Sequence, residues 1–164
     1  MSVIIRQAES QDAETIAYMI RAHAQFDGKE HLCKISADDV RRYGFGDDAV
    51  FKVLLAEIEG RPVGSLVFYR TFSSWEGKPF LFIEDFFVRE EQRGRGIGRM
   101  LLARVAALAK RQGCPRVDWH VLQVAVARGF YERLGGKWVE DFLIYRLEGA
   151  SLDNLAAEGA TDLA

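Results

Sequence analysis

Residues 80–102 read FLFIEDFFVREEQRGRGIGRMLL, an apolar run that passes through three glycines set among arginines into a second apolar run. The first run is strand-like, since aromatic and β-branched residues dominate 80–88. The second has helical spacing: Ile97, Leu101, Val105 and Leu108 share one face of a helix over 97–112, closed by Gly113 and Pro115. RVDWHVL, residues 116–122, then reads as another strand. A strand, a helix and a strand in this order make a parallel crossover within one sheet, which fixes the chain as α/β.

The rest of the chain builds around that step. Residues 2–7 are expected to form the first strand, followed by a helix capped by Ser10, with Ile16, Met19, Ile20 and His23 at helical spacing. SADDVRRYGF (36–45) reads as a short helix capped by Ser36. VFKVLLAEIEGRPVGSLVFYRTF (50–72) is a hairpin turning at Glu59-Gly60-Arg61-Pro62. VAVARGFYERLG (124–135) reads as a helix stopped by Gly135 and Gly136, and KWVEDFLIYRLE (137–148) as two short strands or one bent strand. The expected architecture is one α/β domain over residues 1–149, with a mixed, mostly antiparallel sheet and about four flanking helices. Residues 150–164 are small, acidic and poorly patterned, and are expected to be a loosely ordered tail.

Composition narrows the function. The 164 residues are 49% hydrophobic and 28% charged, as in globular domains. A formal charge of −2 argues against a general affinity for nucleic acid. Two cysteines and three scattered histidines carry no metal-ligand spacing. No apolar run approaches the roughly 18 residues that span a bilayer, and MSVIIRQAES lacks a basic, apolar leader. A cytoplasmic protein is expected.

The glycine–arginine loop is where chemistry first shows. Glycines at 94, 96 and 98 let backbone N–H groups converge on one point, and the start of the following helix adds unpaired amides and a positive dipole end. Arg93, Arg95 and Arg99 add charge. An anion site is expected there, against the alternative of a solvated basic turn. The spacing lacks the Gly-Lys-Ser/Thr of a nucleoside-triphosphate loop, and its G-x-G-x-G order is not the dinucleotide fingerprint. In an ideal strand, Glu84 and Asp85 point to opposite faces and share no proton. Each also has a structural reading, Glu84 in a salt bridge and Asp85 accepting backbone N–H bonds.

The segment Arg93–Gly98 resembles the acetyl-CoA pyrophosphate loop of the GCN5-related N-acetyltransferase (GNAT) superfamily. Its pattern, Q/R-x-x-G-x-G/A, is matched by Arg93, Gly94, Arg95, Gly96, Ile97 and Gly98, with Gln92 just before them. IRQAESQDAETI resembles the superfamily's opening strand and helix, and GFYERLGG its closing helix. "EDFFV" at 84–88 and "YGFG" at 43–46 resemble the diamine (spermidine/spermine) branch. The resemblance implies a bulge near Glu84 and Asp85 that splays the sheet between its fourth and fifth strands, with the pantetheine arm in the gap. It implies acetyl-CoA as cosubstrate, contacted by Phe86, Phe87, Val88, Arg93, Gly94, Arg95, Gly96, Ile97, Gly98 and Arg99, with no metal.

A primary amine, with a pKa near lysine's value of about 10.4, must lose a proton before it attacks. Glu84, matched to a glutamate of the diamine enzymes, is expected to bind the ammonium and accept that proton. Tyr131 matches the tyrosine that approaches the CoA sulfur, as general acid for the thiolate; core packing is its alternative. Phe26 and Asp27, with Glu84 and Asp85, are the expected amine-binding residues, against a solvated-loop reading of Asp27. Residues 122–128 depart from the pattern, lacking the tryptophan, asparagine and proline of relatives. Polyamines, diamines, lysine-like amino acids, antibiotic amines and protein N-termini remain candidate acceptors. A CoA-binding regulatory module is the reading from another class, and a homodimer is expected.

Overall fold

The computed structural model describes residues 2–122 and 127–159. The chain divides into two compact units, residues 1–125 and 126–164. In the first, five strands lie in sequence order: β1 (Val3–Gln7), β2 (Lys52–Ile58), β3 (Arg61–Ser73), β4 (Lys78–Val88) and β5 (Val117–Trp119). β1 to β4 pair antiparallel, and β5 joins β4 in parallel. The crossover between them carries α3 (Ile97–Arg111), while α1 (Ala13–Phe26) and α2 (Ala37–Phe45) lie between β1 and β2 in sequence. Among the described residues no helix is long and apolar enough to cross a membrane.

Local chemistry accounts for these boundaries. The β2–β3 hairpin turns on Glu59 and Gly60, with φ of 51° and 73°, the doubly left-handed backbone that a two-residue turn needs to match strand twist. Ser36 caps α2, its Oγ accepting from the Asp39 amide while the Asp39 carboxylate accepts from the Ser36 amide. The entry to α1 differs from expectation. Ser10 does not cap it; a 3-10 turn over Ser10–Asp12 precedes it, boxed by Glu9 and Asp12. The Asp12 carboxylate also receives both Arg6 guanidinium ends, at 2.7 and 2.8 Å, and that pairing holds its pKa below the ordinary carboxylate value.

Two hydrophobic cores sandwich the sheet. Ile97, Leu101, Val105 and Ala109 of α3 meet Leu54, Leu66, Phe68, Leu81 and Ile83 on one face. Ala13, Ile16 and Ala17 of α1 meet Val40, Val53, Leu55 and Val67 on the other. β4 breaks its own alternation between them. Val67 pairs with Asp85 but Phe68 pairs with Ile83, so Glu84 is an extra, bulged residue. Leu81 and Ile83 belong to the α3 side, and beyond the bulge so do Phe86 and Val88.

In the second unit, α4 (Arg128–Arg133) ends at Gly135, whose φ of 88° and amide bond to the Glu132 carbonyl close the helix as the sequence implies. The strands expected over 137–148 are absent: these residues form no ladder among the described residues. Their pattern suits a strand, but a strand exists only with a partner to complete its hydrogen bonds. Trp138, Phe142, Leu143, Ile144 and Tyr145 stand exposed, Tyr145 at 89%. A fifth helix, α5 (Ala150–Gly159), follows within the segment that the sequence leaves poorly patterned.

Candidate active site

The loop between β4 and α3 has the form of an anion cradle. Gly94 and Gly96 take φ of 74° and 80°, and a Cβ at either would meet nothing within 4 Å, so the space above the backbone is open. Among the described residues, the amides of Gly94, Arg95, Gly96, Ile97, Gly98 and Arg99 engage no backbone carbonyl; helical bonding resumes at Met100, which donates to the Gly96 carbonyl. Gly96 caps α3 without a side-chain bond, leaving the positive end of that helix bare. Ile97 is buried at 1% and pins the helix start to the core, so only its backbone is available to a ligand. Arg95 is held by the Gln92 side chain, and Arg99 is exposed. These residues fit a diphosphate.

β4 leads into this loop along a free edge. Its pairing with β5 ends at Ile83 and Trp119, and beyond that no ladder partner lies on this side among the described residues. The expected parting of the fourth and fifth strands therefore begins at the Glu84 bulge. The side chains of Phe86 and Val88 pack against the α3 core and Phe87 is 7% exposed, so what this stretch offers a cofactor is backbone.

The bulge also corrects the expected opposition of Glu84 and Asp85. Glu84 continues the row of Phe82, which packs on Tyr69 at 5.4 Å between ring centroids. Asp85 begins the row of Phe87, and both meet His23 on α1. The extra residue brings the two carboxylates to the α1 side of the sheet. Tyr69 reports the Glu84 charge: burial first, then that carboxylate, raise its phenol pKa. Neither structural alternative is realised. Glu84 forms no ion pair among the described residues, and Asp85 binds an imidazole instead of backbone amides.

His23 is the site residue that sequence reading assigned to a helix face alone. Its Nδ1 lies 2.8 Å from Asp85 Oδ2, and since a carboxylate only accepts, Nδ1 carries the proton. Its Nε2 lies 3.4 Å from Asp27 Oδ2. Burial, the largest influence, pushes the imidazole pKa down; the Asp85 hydrogen bond and the Asp85 and Asp27 charges outweigh it and, against an opposing Arg93, leave the pKa above 6.5. Asp85 Oδ1 is buried with no hydrogen-bond partner, a condition that costs about 1–3 kcal/mol until a donor arrives. Phe26 is half exposed, and the Arg93 guanidinium covers its ring at 4.0 Å while Arg93 Nε donates to the Val88 carbonyl. Arg93 thus ties the loop to the ends of β4 and α1. The structure brings Phe26, Asp27, Asp85 and Arg93 together around His23. No sequence signal linked His23 to a carboxylate 62 positions away.

Tyr131 belongs to the second unit, on α4, its ring 5.3 Å from that of Phe130. Of the connection whose pattern departs from relatives, residues 123–126 lie outside the described residues. Among the described residues no group of three or more histidines, cysteines or carboxylates could hold a metal ion.

Residues 12–136 match the Acetyltransferase (GNAT) family. The thialysine N-epsilon-acetyltransferase of Mus musculus is 34% identical, over 94% of this chain and 98% of its own. The spermidine/spermine N(1)-acetyltransferase-like protein 1 of Homo sapiens is 35% identical, over 67% of this chain and 17% of its own. Among solved structures, an integron cassette protein of V. cholerae superposes with a TM-score of 0.79 at 25% identity, over 95% of this chain and 98% of that one. The cradle and parted strands thus have their place in a known set: the chain belongs to the GNAT family and is an N-acetyltransferase.

Proposed function

We propose that the protein moves an acetyl group from acetyl-CoA to a primary amine of a small molecule, by direct attack in a ternary complex. One observation carries this reading: the open amides of Gly94–Arg99 adjoin a strand edge that comes free at a carboxylate-bearing bulge. The loop amides with Arg93, Arg95 and Arg99 hold the diphosphate, and the backbone of Phe86, Phe87 and Val88 lines the pantetheine arm. Glu84 binds the ammonium and accepts its proton; Phe26, Asp27 and Asp85 hold positive charge on the acceptor. Tyr131 protonates the departing thiolate. Residues 1–149 are the catalytic domain and 150–164 an appendage, in a cytoplasmic homodimer.

The acceptor classes favoured are diamines, polyamines and lysine-like amino acids, in keeping with relatives named for thialysine and spermidine/spermine. The test is release of free CoA from acetyl-CoA against a panel of diamines, polyamines, lysine, thialysine and aminoglycosides. Turnover on an alkyl amine of the first four groups is expected. Tight CoA binding with no turnover on any amine replaces this reading with a CoA-binding regulatory module.

A further inference from the structure

His23 stands between the two carboxylates assigned to the acceptor, with Asp85 Oδ2 2.8 Å from one ring nitrogen and Asp27 Oδ2 3.4 Å from the other. The groups facing it come from three places. Asp27 follows the end of α1, Asp85 and Phe87 come from β4, and Arg93 comes from the loop. Phe87 stacks on the imidazole at 5.6 Å and 26°, so the ring is fixed between its acidic partners. The second oxygen of Asp85 is buried and lacks a donor. An imidazolium held here occupies the position in which two carboxylates would otherwise receive an ammonium.

We infer that His23 sets the charge of the amine site: protonated, it neutralises Asp27 and Asp85 in competition with a substrate cation; neutral, it keeps only its Nδ1–H bond to Asp85 and leaves the negative charge of the pair to the substrate. The inference rests on the amine-acetyltransferase reading above and adds a specificity-determining residue to it. With His23 protonated, two carboxylates face Arg93 and an imidazolium and the four charges cancel. Loss of the proton leaves one net negative charge. Burial lowers the imidazole pKa, but the Asp85 hydrogen bond and the Asp85 and Asp27 charges outweigh it, so the change lies on the alkaline side of the ordinary histidine value. Cation capture therefore strengthens as pH rises through that pKa, and by reciprocity a bound diamine lowers it.

The experiment measures kcat and KM for 1,4-diaminobutane from about pH 6 to about pH 9, on the wild type and on His23→Asn. Asparagine keeps an N–H for Asp85 but cannot titrate. The amine's own ionisation cancels in the ratio of the two proteins. The wild-type KM is expected to exceed the variant's by about five- to tenfold at the acidic end and to match it at the basic end, with the kcat ratio flat. A KM ratio that is constant with pH overturns the inference. A pH-dependent difference in kcat alone also overturns it, making His23 a proton carrier. In parallel, NMR titration of the wild-type His23 imidazole, which needs no variant to fold, is expected to show a midpoint that falls when diamine is added. An enzyme that acetylates no amine removes the proposed function; a midpoint unmoved by diamine while acetylation proceeds removes this inference alone.

Discussion

Two neighbouring carboxylates meet different surroundings on β4, and the difference suits the roles proposed for them. Asp85 is engaged by His23 at 2.8 Å, which fixes it as part of a charged frame. Glu84, exposed at the bulge and without an ion-pair partner among the described residues, is free to meet a substrate ammonium. A carboxylate that must bind an ammonium and then take its proton has to begin unpaired, since a salt bridge would hold it in the ionised state. Glu84→Gln keeps the size and the hydrogen-bonding reach but cannot accept the proton. Its kcat/KM for the amine is expected to fall about a hundredfold, the usual scale for losing a general base, with the KM for acetyl-CoA unchanged. Steady-state kinetics with each substrate varied in turn checks this. Turnover equal to the wild type would take Glu84 out of the mechanism.

At the scale of elements, the cradle depends on left-handed backbone at Gly96, where a Cβ has room but the conformation costs about 1–2 kcal/mol. Gly113, just past the other end of α3, has φ of 70° and the same open surroundings. Alanine at either should lower Tm by a few degrees, about 2–4 °C per kcal/mol in a chain of this size. Only Gly96→Ala is expected to raise the KM for acetyl-CoA, by about tenfold, because only there does the strained backbone carry the amides that hold the diphosphate. Equal acetyl-CoA KM values in the two variants would sink the cradle. This element was legible in the sequence because glycine spacing, a preceding strand and a following amphipathic helix are all local signals. The bulge was not, except through the family resemblance. Phe-Leu-Phe-Ile-Glu-Asp-Phe-Phe-Val alternates acceptably with or without an extra residue, and only its pairing with Val67 and Phe68 reveals the break. His23 escaped for a related reason: helical spacing assigns a face, but not the partner waiting on it.

At the scale of the whole molecule, the stretch over 137–148 shows what a pattern cannot supply. Its aromatic and β-branched residues meet every local requirement of a strand, yet no ladder among the described residues receives it. Phe142 and Ile144 are each more than two-thirds exposed, and Leu143 and Tyr145 more so. A contiguous apolar surface of this kind marks an interface or an aggregation site. In the proposed homodimer a second copy of the chain covers it, which buries these side chains and can satisfy the unpaired backbone. The protein is then expected to run at twice its 18.5 kDa chain mass in light scattering coupled to size exclusion. Glutamate at both 142 and 144 places charge where the apolar contact would form, and should return the protein to the mass of one chain while Tm falls with the lost interface. A wild type that stays at 18.5 kDa at every concentration examined refutes the dimer. A doubly substituted variant that keeps a dimeric wild-type mass removes this stretch from the interface, because an interface built on it could not tolerate four buried carboxylates.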